Sequence, residues 1–382
     1  MKRNQILKMH GTDYKKMTFQ LLEEAGLKDM IPDNHCRIGI KPNLVSPTPS
    51  SYGATTHPEV VAGIIEYLQS HGFRNIMIAE GSWVGDRTSE AVQVCGYDTL
   101  AEKYGVKLHD AQKDGAHPAD CAGMELNLCN CVDEIDFLIN VPVMKGHCQT
   151  KITCALKNMK GLIPNSEKRR FHSMGLHKPI AHLNTGVHQD FIVVDHICGD
   201  LDFEDGGNPV VCNCVMAACD PVLVDAYVCK LMHYAVDDVP YIRLAEQLGI
   251  GSTDLENAEI MECSFENDGK TSGAGVKIPR GSIRHEEELP LKRKIVELQD
   301  AVEEVESCSA CYGYLIPALD RLREEGLLEK LDAKICIGQG YQGKTGRIGI
   351  GRCTKNFEYN VKGCPPTEDQ IYEFLKSYLE ER

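Results

Sequence analysis

Short apolar runs that stop at polar residues recur along the first two thirds of the chain, and helical patterns separate them. "RIGIKPNLV" (37–45) reads as a buried strand halted at Pro42, and "NIMIAEG" (75–81) as another ending at Glu80. "IDFLINVPVMKGH" (135–147) holds the most hydrophobic strand, and "FIVVDH" (191–196) is a further one. Between them lie a helix over 14–26, shorter helices over 89–95 and 98–104, and a strand near Val106. A further helix follows Thr56-His57-Pro58-Glu59, with Val60, Val61, Ile64, Ile65 and Leu68 as its apolar stripe and Gly72 at its end. Thr56 at the N-cap and Glu59 three residues on form the pattern of a capping box. Strands apolar on both faces must be covered on both faces, so the alternation predicts an α/β fold: a mostly parallel sheet with flanking helices. Ligands gather at the carboxyl ends of such strands. That rule singles out Lys41 and Asn43 after the first run, and Lys145, His147 and Lys151 after the most hydrophobic one.

Further on, "VVCNCVMA" (210–217) alternates and puts Cys212, Cys214 and Met216 on one face, read as core. Asp220-Pro221 opens a helix through Met232, and another covers 240–248 before Gly249. Residues 265–293 are polar, charged and glycine-bearing, a linker or insertion between a 1–264 core domain and a 294–382 C-terminal domain. That last region carries a helix near 312–325, the strand "AKICIG" (333–338), a glycine-rich loop and a terminal helix over 367–381.

The C-terminal region also carries Cys308, Cys311, Cys353 and Cys364, spaced C-x2-C-x41-C-x10-C. A C-x2-C pair turns two thiolates onto one ion or cluster, and two more complete a four-sulfur shell. Zinc ribbons prefer two short knuckles, and a bacterial ferredoxin run would place a cysteine where Tyr314 stands. The glycine-rich approach to Cys353 and the Cys364-Pro365 step fit a [4Fe–4S] cluster held by loops in a small C-terminal Fe–S domain. Zinc and ordinary free cysteines are the alternatives. Cys336, in an apolar strand, is the rival ligand and reads as core. "GQGYQGKT" (338–345) matches the phosphate-loop pattern, but that mechanism needs a helix at Lys344-Thr345, and Gly346, Gly349 and Gly351 oppose one.

Residues 141–170 hold Lys145, Lys151, Lys157, Lys160, Lys168, Arg169 and Arg170 against the single acid Glu167. In a chain of net charge −15 such a local surplus reads either as a solvated face or as a site for a carboxylate or phosphate. A partly buried Lys145 or Lys151 would have a lowered pKa and could act as a base. Histidines 172, 177, 182, 188 and 196 match no common metal helix. The acidic run Asp200, Asp202, Glu204, Asp205 reads as a solvated turn or a hard-cation site.

The acidic balance and low aromatic content argue against nucleic acid as a partner. No 18-residue apolar stretch or signal-peptide core occurs, so no membrane is expected. Eighteen cysteines without a secretory leader fit a cytoplasmic, reducing and anaerobic setting.

Together, "KPNLV" (41–45), "THPEVVAGIIEYL" (56–68), "INVPVMKGH" (139–147), "KITCALKNMKGLIP" (151–164), "VVDHICG" (193–199) and "DPVLVDAYVCKLM" (220–232) resemble the domain-of-unknown-function 362 family over roughly 38–250. The resemblance implies an Fe–S-associated protein and makes Lys41, Asn43, Lys145, His147, Lys151, Lys157 and Asn158 family-like positions. A looser similarity of character is to nickel-dependent lactate racemases, through a Lys/His-lined site. The expected function is an Fe–S oxidoreductase. In it Lys145, His147 and Lys151 act on a small anionic substrate or second cofactor, Lys41, Asn43, Lys157 and Asn158 bind it, and an electron-transfer protein is a candidate partner. A non-redox lyase or isomerase, or an electron carrier without its own chemistry, is the alternative.

Overall fold

The computed structural model describes residues 1–265, 271–277, 289, 297–307 and 309–381. The chain divides into Met1–Leu289 and Pro290–Arg382. Residues 271–277, inside the stretch read as a linker, form a strand.

In the first unit, nine described strands form one sheet. Its order is Thr271–Lys277, Glu259–Phe265, Gln5–His10, Cys214–Ala218, Phe191–His196, Phe137–Val141, Ile38–Pro42, Ile76–Glu80, Lys107–Asp110. The last five named are parallel to one another. Cys214–Ala218 runs antiparallel to both its neighbours, so the sheet is mixed. Because side chains alternate across a strand, the sheet separates two cores. Leu138, Ile192 and Met216 pack on one face with Ile180, Leu183 and Val228. Ile139, Val193 and Ala217 pack on the other with Leu21, Leu22, Ile64 and Ile65. Each leucine, isoleucine, valine or methionine so buried contributes roughly 1.5–3 kcal/mol. On the second face the helices Tyr14–Ala25 and Pro58–Ser70 meet backbone to backbone: a Cβ at Gly63 would stand 2.5 Å from the Lys15 carbonyl.

Two sequence expectations change here. The helix after Thr56 begins at Pro58 with His57 at its N-cap, and no side chain caps it. The Thr56 hydroxyl instead donates to Val141 O (2.8 Å) and accepts from Asn43 N (2.8 Å), tying two strand ends together. The strand Gln5–His10 was also not foreseen. Its fully buried Lys8, near Tyr227 Oη (3.4 Å) and Glu262 (3.9 Å), breaks the apolar pattern that marks a buried strand.

The second unit has a parallel sheet of Val302–Glu304, Ile335–Ile337, Ile348–Ile350 and Tyr359–Val361. It also carries the helices Ser309–Glu324 and Glu368–Glu380, the latter opened by a capping box of Thr367 and Gln370. After Lys344-Thr345 comes the strand Ile348–Ile350 rather than a helix.

Candidate active site

The parallel strands of the first unit end at Pro42, Glu80, Val141 and His196, and the loops beyond them converge. Lys145 lies there, 1% exposed. Its ammonium donates to three neutral oxygens: Ala54 O (2.6 Å), Glu204 O (2.7 Å) and Asn43 Oδ1 (3.4 Å). Burial, and then the nearby Lys157 ammonium, lower its pKa from 10.5 to about 7. A lysine so placed holds or gives up a proton near neutrality.

Asn43 passes this contact on through a directed chain of carboxamides. Asn43 Nδ2 donates to Asn158 Oδ1 (3.0 Å), and Asn158 Nδ2 donates to Asn140 Oδ1 (2.7 Å). Asn140 Nδ2 donates to Gln189 Oε1 (2.6 Å), and Gln189 Nε2 to Asn184 Oδ1 (2.5 Å). Asn184 closes the chain on Leu156 O and Ile180 O. All five amides are buried. With donor meeting acceptor throughout, the chain fixes the amide orientations and makes a rigid wall. Asn140→Leu is expected to lower unfolding free energy by about 2–5 kcal/mol, because it takes the donor from both Gln189 Oε1 and Ala155 O; chemical denaturation measures it.

His147 is buried beside Lys145. Its Nδ1 accepts the Gln149 and Thr150 amides (3.1 and 3.2 Å), so the proton sits on Nε2, 3.5 Å from Glu204 Oε1. Burial and the surrounding lysines hold its pKa well below the ordinary value. The Glu204 carboxylate also accepts from Cys148 N (3.1 Å) and Sγ (3.0 Å). One ligand atom each of His147, Cys148 and Glu204 lies within 4.8 Å of the others, as does one each of His109, Asp114 and Cys131. These mixed donor sets, with the high cysteine content, fit a metal cofactor.

Lys157 and Lys160 are surrounded by protein yet partly reached by solvent, as in a recess. Burial lowers their pKa values to about 8 and about 7. His172 faces them, with its Nδ1 buried and without a hydrogen-bond partner. Deeper still, Lys41 pairs with the Glu80 carboxylate, burial pushing the lysine down and the acid up. A Cβ at Gly161 would stand 2.5 Å from Lys41 Nζ and 2.4 Å from Glu80 Oε1, so only glycine fits over the pair. Lys168 donates to Gly81 O and Ser82 O beside it.

The structure thus brings Lys41, Asn43, Lys145, His147, Lys157 and Asn158 together. Lys151 goes elsewhere: its ammonium pairs with Asp238 (3.3 Å) over the Tyr234 ring. Arg169 and Arg170 are exposed. Asp200 is a turn former, its carboxylate accepting the amides of Asp202, Phe203 and Asn208. Glu80 and Cys148 were missed as members, although Glu80 ends a strand, and Glu204 was read only within an acidic turn or hard-cation run, not as a partner of His147 and Cys148.

Neutral buried histidines make the fold acid-labile. Burial depresses both His172 and His196 to about 3. The unfolded chain binds protons below about pH 6.5 where the folded one does not, so stability falls as pH drops from 6.5 towards 3. By pH 5 each should cost roughly 2 kcal/mol, and His172→Asn should flatten the pH dependence of the urea midpoint.

In the second unit, Cys308 lies outside the described residues. Cys311 is in the first turn of Ser309–Glu324, Cys353 in the turn Arg352–Thr354, and Cys364 is exposed before Pro365. A Cβ on Gly351 would stand 3.6 Å from Cys311 Sγ and 3.5 Å from Gly363 O. Arg352 N donates to Gly363 O (2.8 Å), and Gln342 Nε2 lies 3.7 Å from Cys353 Sγ. The segments carrying these three cysteines therefore meet around Gly351. Cys336 stays in its strand, half-buried, with Sγ towards Lys334 O.

Fold and site define an α/β protein with a lysine-lined site at the carboxyl edge of a largely parallel sheet. The family model for the domain of unknown function DUF362 matches residues 38–230, which hold every member of that site, and the chain belongs to this family. The thylakoid-associated protein sll1697 of Synechocystis sp. is 22% identical over 228 residues, 58% of this chain and 70% of that protein. The lactate racemase apoprotein from Thermoanaerobacterium thermosaccharolyticum matches with 14% identity and a TM-score of 0.40, over 61% of this chain and 57% of that one. No helix among the described residues is long and apolar enough to cross a membrane.

Proposed function

We propose that the protein is an iron–sulfur enzyme that reduces or oxidises a small anionic molecule held at the carboxyl edge of the sheet. The observation that carries this reading is Lys145, a fully buried amine bonded to neutral oxygens only and poised near pH 7. Lys157 and Lys160 in the recess would hold the anion, and Lys145 would move the proton that accompanies electron transfer. His147, with Nε2–H fixed, would orient the substrate. Cys308, Cys311, Cys353 and Cys364 would hold a [4Fe–4S] cluster, which supplies one-electron chemistry when bound. The meeting of three cysteine-bearing segments at Gly351 supports that ligand set. A second reading, a lyase or isomerase, is favoured by the neighbouring low-pKa groups Lys145 and His147, which could move protons without electrons.

The chain purified without oxygen should carry about four iron and four sulfide. Cys→Ala at each of the four positions should lower iron content, and Cys336→Ala should leave it unchanged. Stoichiometric zinc without sulfide would remove the cluster and the redox assignment. Thermal shifts against two- to four-carbon hydroxy-acids, oxo-acids and inorganic phosphate test the recess: ligands that stabilise the wild type should fail with Lys157→Met or Lys160→Met. Turnover of a ligand so found only with reduced methyl viologen would mark an oxidoreductase. Turnover without any donor would mark the lyase or isomerase.

A further inference from the structure

Beside the lysine site, and separate from it, three side chains stand in the order of a nucleophile, its base and an orienting acid. His57 Nδ1 is 2.8 Å from Asp195 Oδ2, and the same oxygen accepts the His57 backbone amide (2.7 Å). Asp195 Oδ1 takes the Ile197 amide (3.1 Å), so the carboxylate is held at both ends. The other ring nitrogen, His57 Nε2, is 3.6 Å from Cys198 Sγ. We propose that Cys198, His57 and Asp195 form a thiolate centre that attacks an activated acyl carbon, such as that of a thioester.

Geometry makes the roles specific. Asp195 fixes the proton on Nδ1, which leaves Nε2 to take the proton of the thiol. Burial opposes a charged imidazole here, but the Asp195 carboxylate and the Cys198 sulfur outweigh it and raise His57 to about 10. From other elements the Tyr14 ring stands edge-on to the imidazole at 5.5 Å, and the Tyr97 hydroxyl donates to O of Thr56, the residue before His57. The Cys198 sulfur lies under the turn Ser50–Tyr52, near Ser50 O (3.5 Å), and that turn carries exposed Ser51 and Tyr52. The residue just after Cys198 reaches the lysine site: a Cβ on Gly199 would stand 3.7 Å from the Lys145 Cα.

The step balances without a further reactant. The Cys198 proton passes to His57, sulfur forms a bond to the carbonyl carbon, the carbon–sulfur bond of the thioester breaks, and the departing thiolate takes the proton back from His57. The product is an acyl group on Cys198 and a free thiol.

Carbamidomethylation of Cys198 by iodoacetamide, followed in the full chain by peptide mapping, tests the pairing. The expected rate at pH 6 is within about threefold of that at pH 8.5, whereas an ordinary thiol slows more than a hundredfold over that range. His57→Gln and Asp195→Asn should restore the steep profile while the circular dichroism stays native. p-Nitrophenyl acetate should leave acetyl on the Cys198 peptide in the wild type and not in His57→Gln. A steep wild-type profile, as for a thiol that keeps its proton for the Ser50 carbonyl, would overturn the proposal. So would a Cys198 that no reagent labels. Neither outcome depends on the variants folding.

Discussion

Lys145→Met should lower turnover of the anionic substrate by about 10²–10⁴-fold, the usual contribution of a positioned acid–base group. Methionine keeps most of the side-chain length, so the loss measures the amine. Ala54 O, Glu204 O and Asn43 Oδ1 would lose their donor, a cost of about 1–3 kcal/mol for each acceptor left unpaired, so circular dichroism is measured beside turnover. Lys145→Arg separates two roles. Arginine keeps the charge but cannot give up its proton near neutrality, so a proton-transferring Lys145 predicts that this variant is as inactive as the methionine one. Recovery of activity in Lys145→Arg would show that the charge alone is used. In the wild type, with Lys145 as the base, kcat/KM should rise with pH and level off above about 7, the value to which burial lowers it.

Lys41→Met should destabilise the first unit by about 3–5 kcal/mol, because it leaves the Glu80 carboxylate buried without its partner. Its pH dependence has a definite sign. Burial already raises the Glu80 pKa, and loss of Lys41 raises it further. The folded variant then binds a proton that the unfolded chain releases above about pH 4.3. Its stability is therefore greatest at low pH and falls as pH rises. Lys41→Met/Glu80→Gln should recover most of the loss and abolish that slope. Trp83, the one tryptophan of the chain and three residues beyond Glu80, reports the transition by fluorescence. Equal instability of the single and double variants would show that Lys41 acts through packing rather than charge.

The parallel strands and their helices were legible because burial on both faces writes continuous apolar runs, and helical stripes recur at their own period. Asp220 announced the helix Pro221–Leu231 in the same way, and its carboxylate accepts the Val222 and Leu223 amides. The strand Gln5–His10 was hidden because Lys8 interrupts it, and the facing Tyr227 and Glu262 help make a buried lysine tolerable there. Thr56 and Glu59 carried a capping pattern, yet the Thr56 hydroxyl was claimed by the ends of two strands, contacts that local sequence does not encode.

For the site, the sequence by itself determined where to look: an excess of lysine just past the most apolar strand, at the edge where parallel strands end. It could not sort those lysines, because charge counting is blind to direction. Tertiary structure turned Lys145, Lys157 and Lys160 inward, sent Lys151 to Asp238, and bound Lys168 to the Gly81 and Ser82 carbonyls. Partners far apart in the chain were likewise decided only by folding: Glu80 for Lys41, Glu204 for His147 and Cys148, Asp195 and Cys198 for His57. Each of these pairings depends on side chains that loops from different strands bring within a few ångströms, and desolvation then sets their proton affinities. Neither distance nor desolvation is a property of a residue's neighbours in sequence.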